Sequence, residues 1–328
     1  MMNSRERVWA ALHHQKPDRV PRFEVWIDTI FPEQGISDPI AAYAQLGQDG
    51  VIMPSQIPAE SNAWRDGIDE WGRVWQNGTY RGGVVENDRD LVRYSPPPGD
   101  AVRLFDPDAV RRVRDRYPDH CLFYGTHAGP FTAAYMAMGF DRFFVRLVDD
   151  PAFVHRLLEQ RTEWCIALFN RAVELGAEVI VVGDDAAHHH GSMISPAMWR
   201  EHVLNYHKAV VDALPVPVIW HSDGNVDGLL PMAVEAGFTG VHGLEPAAGM
   251  DLAATVEHYG HELVLVGNVD VGVLLQDDLN AVRREIDRCL DVSAQTAGYM
   301  LSTCNSIFEG MHPESVAEFF RYGGTENP

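Results

Sequence analysis

Short apolar runs that stop abruptly at polar residues recur eight times along the chain, and a helical pattern follows most of them. In order they span Arg22–Asp28, Gly50–Gln56, Leu122–His127, Glu178–Asp185, Val218–Asn225, Gly240–Glu245, Leu263–Asp270 and Tyr299–Asn305. Runs of this length, rich in β-branched residues, read as buried parallel strands. Strands that alternate with long helices imply βαβ units. Eight such strands predict an α/β protein, a single (β/α)8 TIM barrel whose functional groups sit where the strands end. Those ends carry His127, Asp184, Asp185, His221, Asp223, Glu245, Asn268, Asp270 and Asn305.

The remaining pattern fills in around that ring. Ser4 is expected to cap an N-terminal helix reaching about His14, and Pro17 to Pro21 ends it. Further helices are expected over about 106–116, 151–175, 196–213, 226–236, 251–259 and 279–294, and from Pro313 onward, with proline at the favoured first position. Between the second and third strands an insertion covers about 57–120. Within it Trp71 to Tyr80 reads as a β-hairpin turning at Asn77-Gly78, since Asn-Gly between aromatic and β-branched residues favours that turn. The insertion is read as a lid over the mouth or a dimer contact. No low-complexity tract or linker interrupts the pattern, so residues 1–328 read as one domain.

Composition narrows the function classes. The 26 basic against 47 acidic residues leave a formal charge of −21, which argues against nucleic acid or an anionic membrane as partner. No apolar run reaches transmembrane length and the N-terminus has no signal-peptide core, so a cytoplasmic protein is expected. Cys121, Cys165, Cys289 and Cys304 are scattered without paired spacing, as in a reduced compartment.

The candidate chemistry lies at the strand ends. In Trp220-His221-Ser222-Asp223-Gly224-Asn225, His221 and Asp223 are two residues apart and share a face of the strand. Such a pair binds a metal or moves a proton; the alternative is a hydrogen-bonded pair that only ends the strand. Asp184 and Asp185 would coordinate a cation or share a proton, or else cap the next helix. Glu245 and Asp270 end the sixth and seventh strands as mouth ligands or turn-formers. His127 lies before Gly129-Pro130, where a helix start offers free amides to an anion. His188-His189-His190 reads as a surface run more than as a metal site.

With these motifs the chain resembles the uroporphyrinogen decarboxylase superfamily. The carrying segments are Ser4 to Leu12 with Pro17-Asp-Arg-Val-Pro21, Gly183-Asp-Asp185 with Ile194-Ser-Pro196, and His221-Ser-Asp-Gly-Asn225. Glu245-Pro246 with Ala248 to Asp251, Gly267-Asn-Val-Asp270, and Asn305-Ser-Ile with Pro313-Glu314 continue the match. The resemblance implies a homodimeric enzyme from one of two branches: decarboxylases of haem synthesis, or zinc-dependent methyltransferases that take a methyl group from a corrinoid carrier. The decarboxylase pattern is broken. Its arginine-rich run is replaced by Arg22-Phe-Glu-Val-Trp-Ile, its acidic residue by Gln56 and its late histidine by Asn305. A substrate with many carboxylates needs cationic partners, so uroporphyrinogen decarboxylation is not expected. The methyltransferase zinc set of His-x-Cys and a later cysteine is kept in part. His221 matches, Asp223 stands for the first cysteine, and the second falls on Asn305, one residue beyond Cys304. A shift of one residue turns a strand side chain to the other face.

The favoured expectation is a methyltransferase- or demethylase-like enzyme on a small molecule, with a divalent metal such as zinc and a corrinoid protein as partner. Its catalytic candidates are His221, Asp223, Asp184 and Asp185. The substrate-binding candidates are His127, Asn225, Asp270 and Asn305, and the metal candidates His221, Asp223, Glu245 and Cys304. A metal-free decarboxylase-like lyase is the alternative, with Asp184, Asp185 or Asp223 handling the proton. A non-catalytic small-molecule or corrinoid-binding protein is the third reading.

Overall fold

A computed structural model describes residues 2–27, 38–55, 66–127 and 129–323. Seven parallel strands form the central sheet in the order β1 (Gly50–Ile52), β5 (Cys121–Thr126), β6 (Val179–Gly183), β9 (Val218–Ser222), β10 (Gly240–Gly243), β11 (Val264–Val269) and β12 (Tyr299–Thr303). The first expected strand closes the ring without a continuous ladder. Phe23 N–H donates to Leu301 O at 3.2 Å, Leu301 N–H to Pro21 O at 2.9 Å, and Asp49 N–H to Arg22 O at 2.7 Å. Parallel bridges join Arg22 to Leu301 and Ile27 to Ile307. The result is an α/β TIM-like barrel, as the eight runs predict. β6 and β9 are buried along their whole length, which is why their apolar runs are continuous rather than alternating. The second run is shorter than expected as a strand, because Pro54 has no N–H to continue the ladder. Gln56 and Asp28 lie outside the described residues.

The hairpin turns where expected. β3 (Arg73–Gln76) pairs antiparallel with β4 (Thr79–Gly83), Gln76 opposite Thr79, and Asn77 and Gly78 both take positive φ. Such a turn matches the strand twist. A short β2 (Gly67–Ile68) adds a third strand. The described part of the insertion packs on the barrel's flank: Tyr80 Oη donates to Met136 O at 2.8 Å and Arg161 Nη2 to Tyr94 O at 2.8 Å.

Helix boundaries differ in places, the helix expected over 226–236 among them, which is a 3-10 turn (Asp227–Leu229) followed by an α-helix (Leu230–Ala236). Asn3, not Ser4, caps the first helix (Ser4–Leu12), because its side chain and that of Glu6 exchange hydrogen bonds with each other's backbone. The helix expected over 196–213 is two, Pro196–His202 and Leu204–Asp212, broken at Val203 with φ −119°. A small ribbon of β7 (Ala187–His188) and β8 (Gly191–Ser192) leads into the first of them. Among the described residues no helix is long and apolar enough to cross a membrane. All four cysteines are free and buried.

Candidate active site

The adjacent carboxylates after β6 have opposite fates. Asp184 is fully buried and turned into the layer between sheet and helices. It accepts hydrogen bonds from Thr132 N at 2.6 Å, Phe131 N at 3.2 Å and His207 Nε2 at 2.7 Å. The anion expected at the helix opening Pro130–Met138 is thus the protein's own. Gly129 permits this approach, since a Cβ there would fall 2.2 Å from Asp184 Cβ. Asp184, expected as a catalytic candidate beside His221, is thus turned away from His221 and held by these groups.

Asp185 does. Its Oδ1 lies 3.9 Å from His221 Nε2 and accepts from Asp223 N at 3.1 Å. Asp223 follows His221 on the same face, as the i, i+2 spacing requires, with its Oδ1 at 3.5 Å from His221 Nε2. One ligand atom from each of Asp185, His221 and Asp223 lies within 4.8 Å of the others, the one group among the described residues able to hold a metal ion in this way. Asp223 keeps 43% of its side-chain surface open to the mouth, whereas His221 keeps 2%.

Electrostatics follow from that packing. Burial, then the Asp185 charge, pushes the Asp223 carboxyl up to about 7. Burial also raises Asp185, against the favourable pull of His127. Burial, with His242 and His127 nearby, holds His221 well below its usual value. The site thus favours neutral imidazole beside two carboxylates that lack a full positive partner.

The remaining candidates are placed as follows. Asn305 reaches the site, its Nδ2 donating to Asp223 Oδ1 at 2.7 Å. His127 is exposed at the mouth and stacks on Trp26 with ring centroids 4.2 Å apart, 5.5 Å from His221. Glu245 ties the sixth strand end to the fifth by accepting from Gly224 N at 2.9 Å. Asn225 holds the same loop through Ala248 O at 3.0 Å. Asp270 caps the short helix Val271–Leu274 through Gly272 N at 2.8 Å. Cys304 is buried outside the metal-capable group, and burial pushes its thiol up. Asp185 rather than Glu245 or Cys304 joins His221 and Asp223. His189 and His190 are exposed.

Four site groups escaped the sequence reading. His242 is fully buried with its Nδ1 at 2.7 Å from His221 Nδ1. Behind it lie Ser302 and Glu24, joined by a 3.2 Å hydrogen bond. Trp26 packs edge-on to His221 at 4.6 Å, and its buried indole N–H finds no acceptor among the described residues. The signal available was a polar residue inside an apolar run, which spacing alone does not separate from a strand end.

A family model described as "Uroporphyrinogen decarboxylase (URO-D)" matches residues 39–323. A uroporphyrinogen decarboxylase of Pseudomonas aeruginosa is 26% identical over 295 residues, covering 86% of this chain and 79% of its own. The methylcobamide:CoM methyltransferase MtbA of Methanosarcina acetivorans is 25% identical over 312 residues, covering 88% and 89%. A solved methyltransferase from Methanosarcina mazei shares the fold with a TM-score of 0.78 over 98% of both chains, at 22% identity.

Proposed function

The chain belongs to the uroporphyrinogen decarboxylase (URO-D) family, and on that premise we propose a methyltransferase- or demethylase-like enzyme that acts on a small molecule at the barrel mouth. Asp185, His221 and Asp223 would hold a divalent metal such as zinc. The observation carrying this reading is the convergence of two carboxylates and one neutral imidazole with no Arg or Lys paired to them among the described residues. The donor set fits such an ion: nitrogen and oxygen ligands suit zinc, and three protein ligands leave a position open. Oxygen in place of thiolate makes the site harder than a cysteine-rich one. When bound, the metal supplies Lewis acidity that makes a thiol or hydroxyl acceptor more nucleophilic.

The chain's own residues complete the site. Asn305 Nδ2 holds Asp223 Oδ1 in place. The Trp26–His127 stack gives the mouth a flat wall beside His221. A corrinoid protein as methyl donor is part of the proposal, supported by the MtbA relative, whose name specifies a methylcobamide.

A second reading, a metal-free decarboxylase-like lyase, is favoured by one observation: an Asp223 carboxyl near 7 holds a proton close to neutrality and can deliver it. Uroporphyrinogen is not the proposed substrate, because the ion pairs of the described residues bring no guanidinium to these three groups.

The test is titration of metal-stripped protein with Zn2+, followed by incubation with methylcobalamin and a thiol. One Zn2+ per chain, lost in His221→Ala with the fold retained, together with demethylation of the corrinoid, is expected. Absence of Zn2+ binding with carbon dioxide release from carboxylated substrates would instead establish the lyase.

A further inference from the structure

We propose that His242 is a positioning residue which, backed by Ser302 and Glu24, fixes His221 with a proton on Nδ1 and with Nε2 turned to Asp185 and Asp223. The use of that nitrogen as a ligand rests on the function proposed above; the place of the Nδ1 proton does not.

The argument is a count of donors and acceptors. Thr303 O accepts hydrogen bonds and cannot donate. Its 3.2 Å contact with His242 Nε2 therefore places a proton on that nitrogen. Ser302 Oγ lies 3.3 Å from the same nitrogen and 3.2 Å from Glu24 Oε1. Glu24 also accepts Thr303 N at 3.0 Å, and a carboxylate that gathers donors draws the Ser302 proton toward itself. Ser302 is then left to accept from His242, not to donate to it. His242 is fully buried and bonds Thr303, Ser302 and His221 with no carboxylate among them to hold a second proton, so with its proton on Nε2 it is bare at Nδ1. The 2.7 Å separation between the two Nδ1 atoms needs one proton, and His221 alone is left to supply it. With Nδ1 so engaged, His221 turns its Nε2 toward Asp223 and Asp185, at 3.5 and 3.9 Å. The opposite polarity would set the bare His242 Nε2 against the Thr303 carbonyl in a fully buried position, where an unmatched polar contact is costly.

The chain of bonds crosses the barrel from the first stave through β12 and β10 to β9. Glu24, Ser302, His242 and His221 are each at most 1% exposed. Water cannot substitute for any member without the packing opening, so the polarity set at Glu24 is carried to the mouth.

The experiment is long-range 1H–15N correlation spectroscopy on the full, metal-free chain labelled at histidine, with resonances assigned by His221→Asn and His242→Asn. The expected pattern is Nδ1–H for His221 and Nε2–H for His242. His242→Asn keeps an oxygen near the lost Nδ1 and should keep His221 on Nδ1. His242→Leu removes the acceptor, should move the His221 proton toward Nε2, and should weaken Zn2+ binding about 10- to 100-fold. Wild-type His221 carrying its proton on Nε2 would overturn the proposal, as would a His242→Leu spectrum unchanged at His221. If His242→Leu does not fold, the wild-type spectrum decides alone. The expected tautomers in a protein that binds no Zn2+ would sink the metal reading and leave this one standing; Zn2+ binding with the opposite tautomer would do the reverse.

Discussion

The two ends of the barrel treat buried aspartate differently. At the bottom, Asp49 is fully buried just before β1 and is surrounded by positive charge and amides. Arg7 Nη1 and Arg19 Nη1 each lie 2.7 Å from its oxygens, Arg19 Nη2 2.8 Å, and Arg22 N donates at 2.9 Å. At the mouth, Asp185 and Asp223 face each other and His221, and among the described residues their support is the Asp223 backbone N–H on Asp185 and the Asn305 amide on Asp223. The same residue type is satisfied where it holds the fold and left short of a cation where the fold exposes it. In a (β/α)8 barrel that division separates the stabilising face from the functional one.

The sharpest way to break the comparison is Asp49→Ala. It removes the buried carboxylate that Arg7 and Arg19 share, leaving Arg7 only Asp18, and should cost about 3–5 kcal/mol in urea unfolding, while Zn2+ binding by the remaining folded protein stays unchanged. Comparable loss of metal affinity and stability together would show that the two ends are not independent.

Asp223→Asn at the mouth should do the converse: Zn2+ affinity falls more than roughly 100-fold, beyond the loss typical of a supporting residue, with little loss of stability. A pH series on metal-free protein sharpens this. The Asp223 carboxyl is raised from 3.8 to about 7. Between those values the folded protein holds a proton that the unfolded chain has released. The stability this group contributes is full below about 4 and is lost as pH rises through about 7. Thermal melts of wild type minus Asp223→Asn should therefore show the wild type losing ground steadily across that window. A flat difference would mean the mouth carboxylates are compensated after all.

The smallest effect is expected from Cys304→Ser. The thiol lies outside the metal-capable group, so Zn2+ affinity should change less than about 2-fold and stability by about 1 kcal/mol or less. Abolished Zn2+ binding would place the metal on the other face of β12.

Local pattern carried much of this. Continuous apolar runs and strand-end polar groups were enough for the eight staves, and Asn77-Gly78 for the hairpin, because these depend on neighbours within a few residues. The i, i+2 spacing put His221 and Asp223 on one face for the same reason. The choice between Asp184 and Asp185 was not local. Both follow β6 directly, and the helix amides of Phe131 and Thr132 together with His207 decided which one turned away from the mouth.

What the sequence by itself determined is the barrel, the strand ends that carry the candidate site and the His221–Asp223 pair, since each follows from periodicity along one strand. Tertiary structure alone decided the completed metal-capable group and the buried chain from Glu24 through Ser302 and His242. Glu24 and Ser302 are 278 positions apart in the chain, and they meet because the ring closes between its first and last staves. A hydrogen bond made by ring closure leaves no periodicity in either segment, so each residue reads locally as one polar position in an apolar strand.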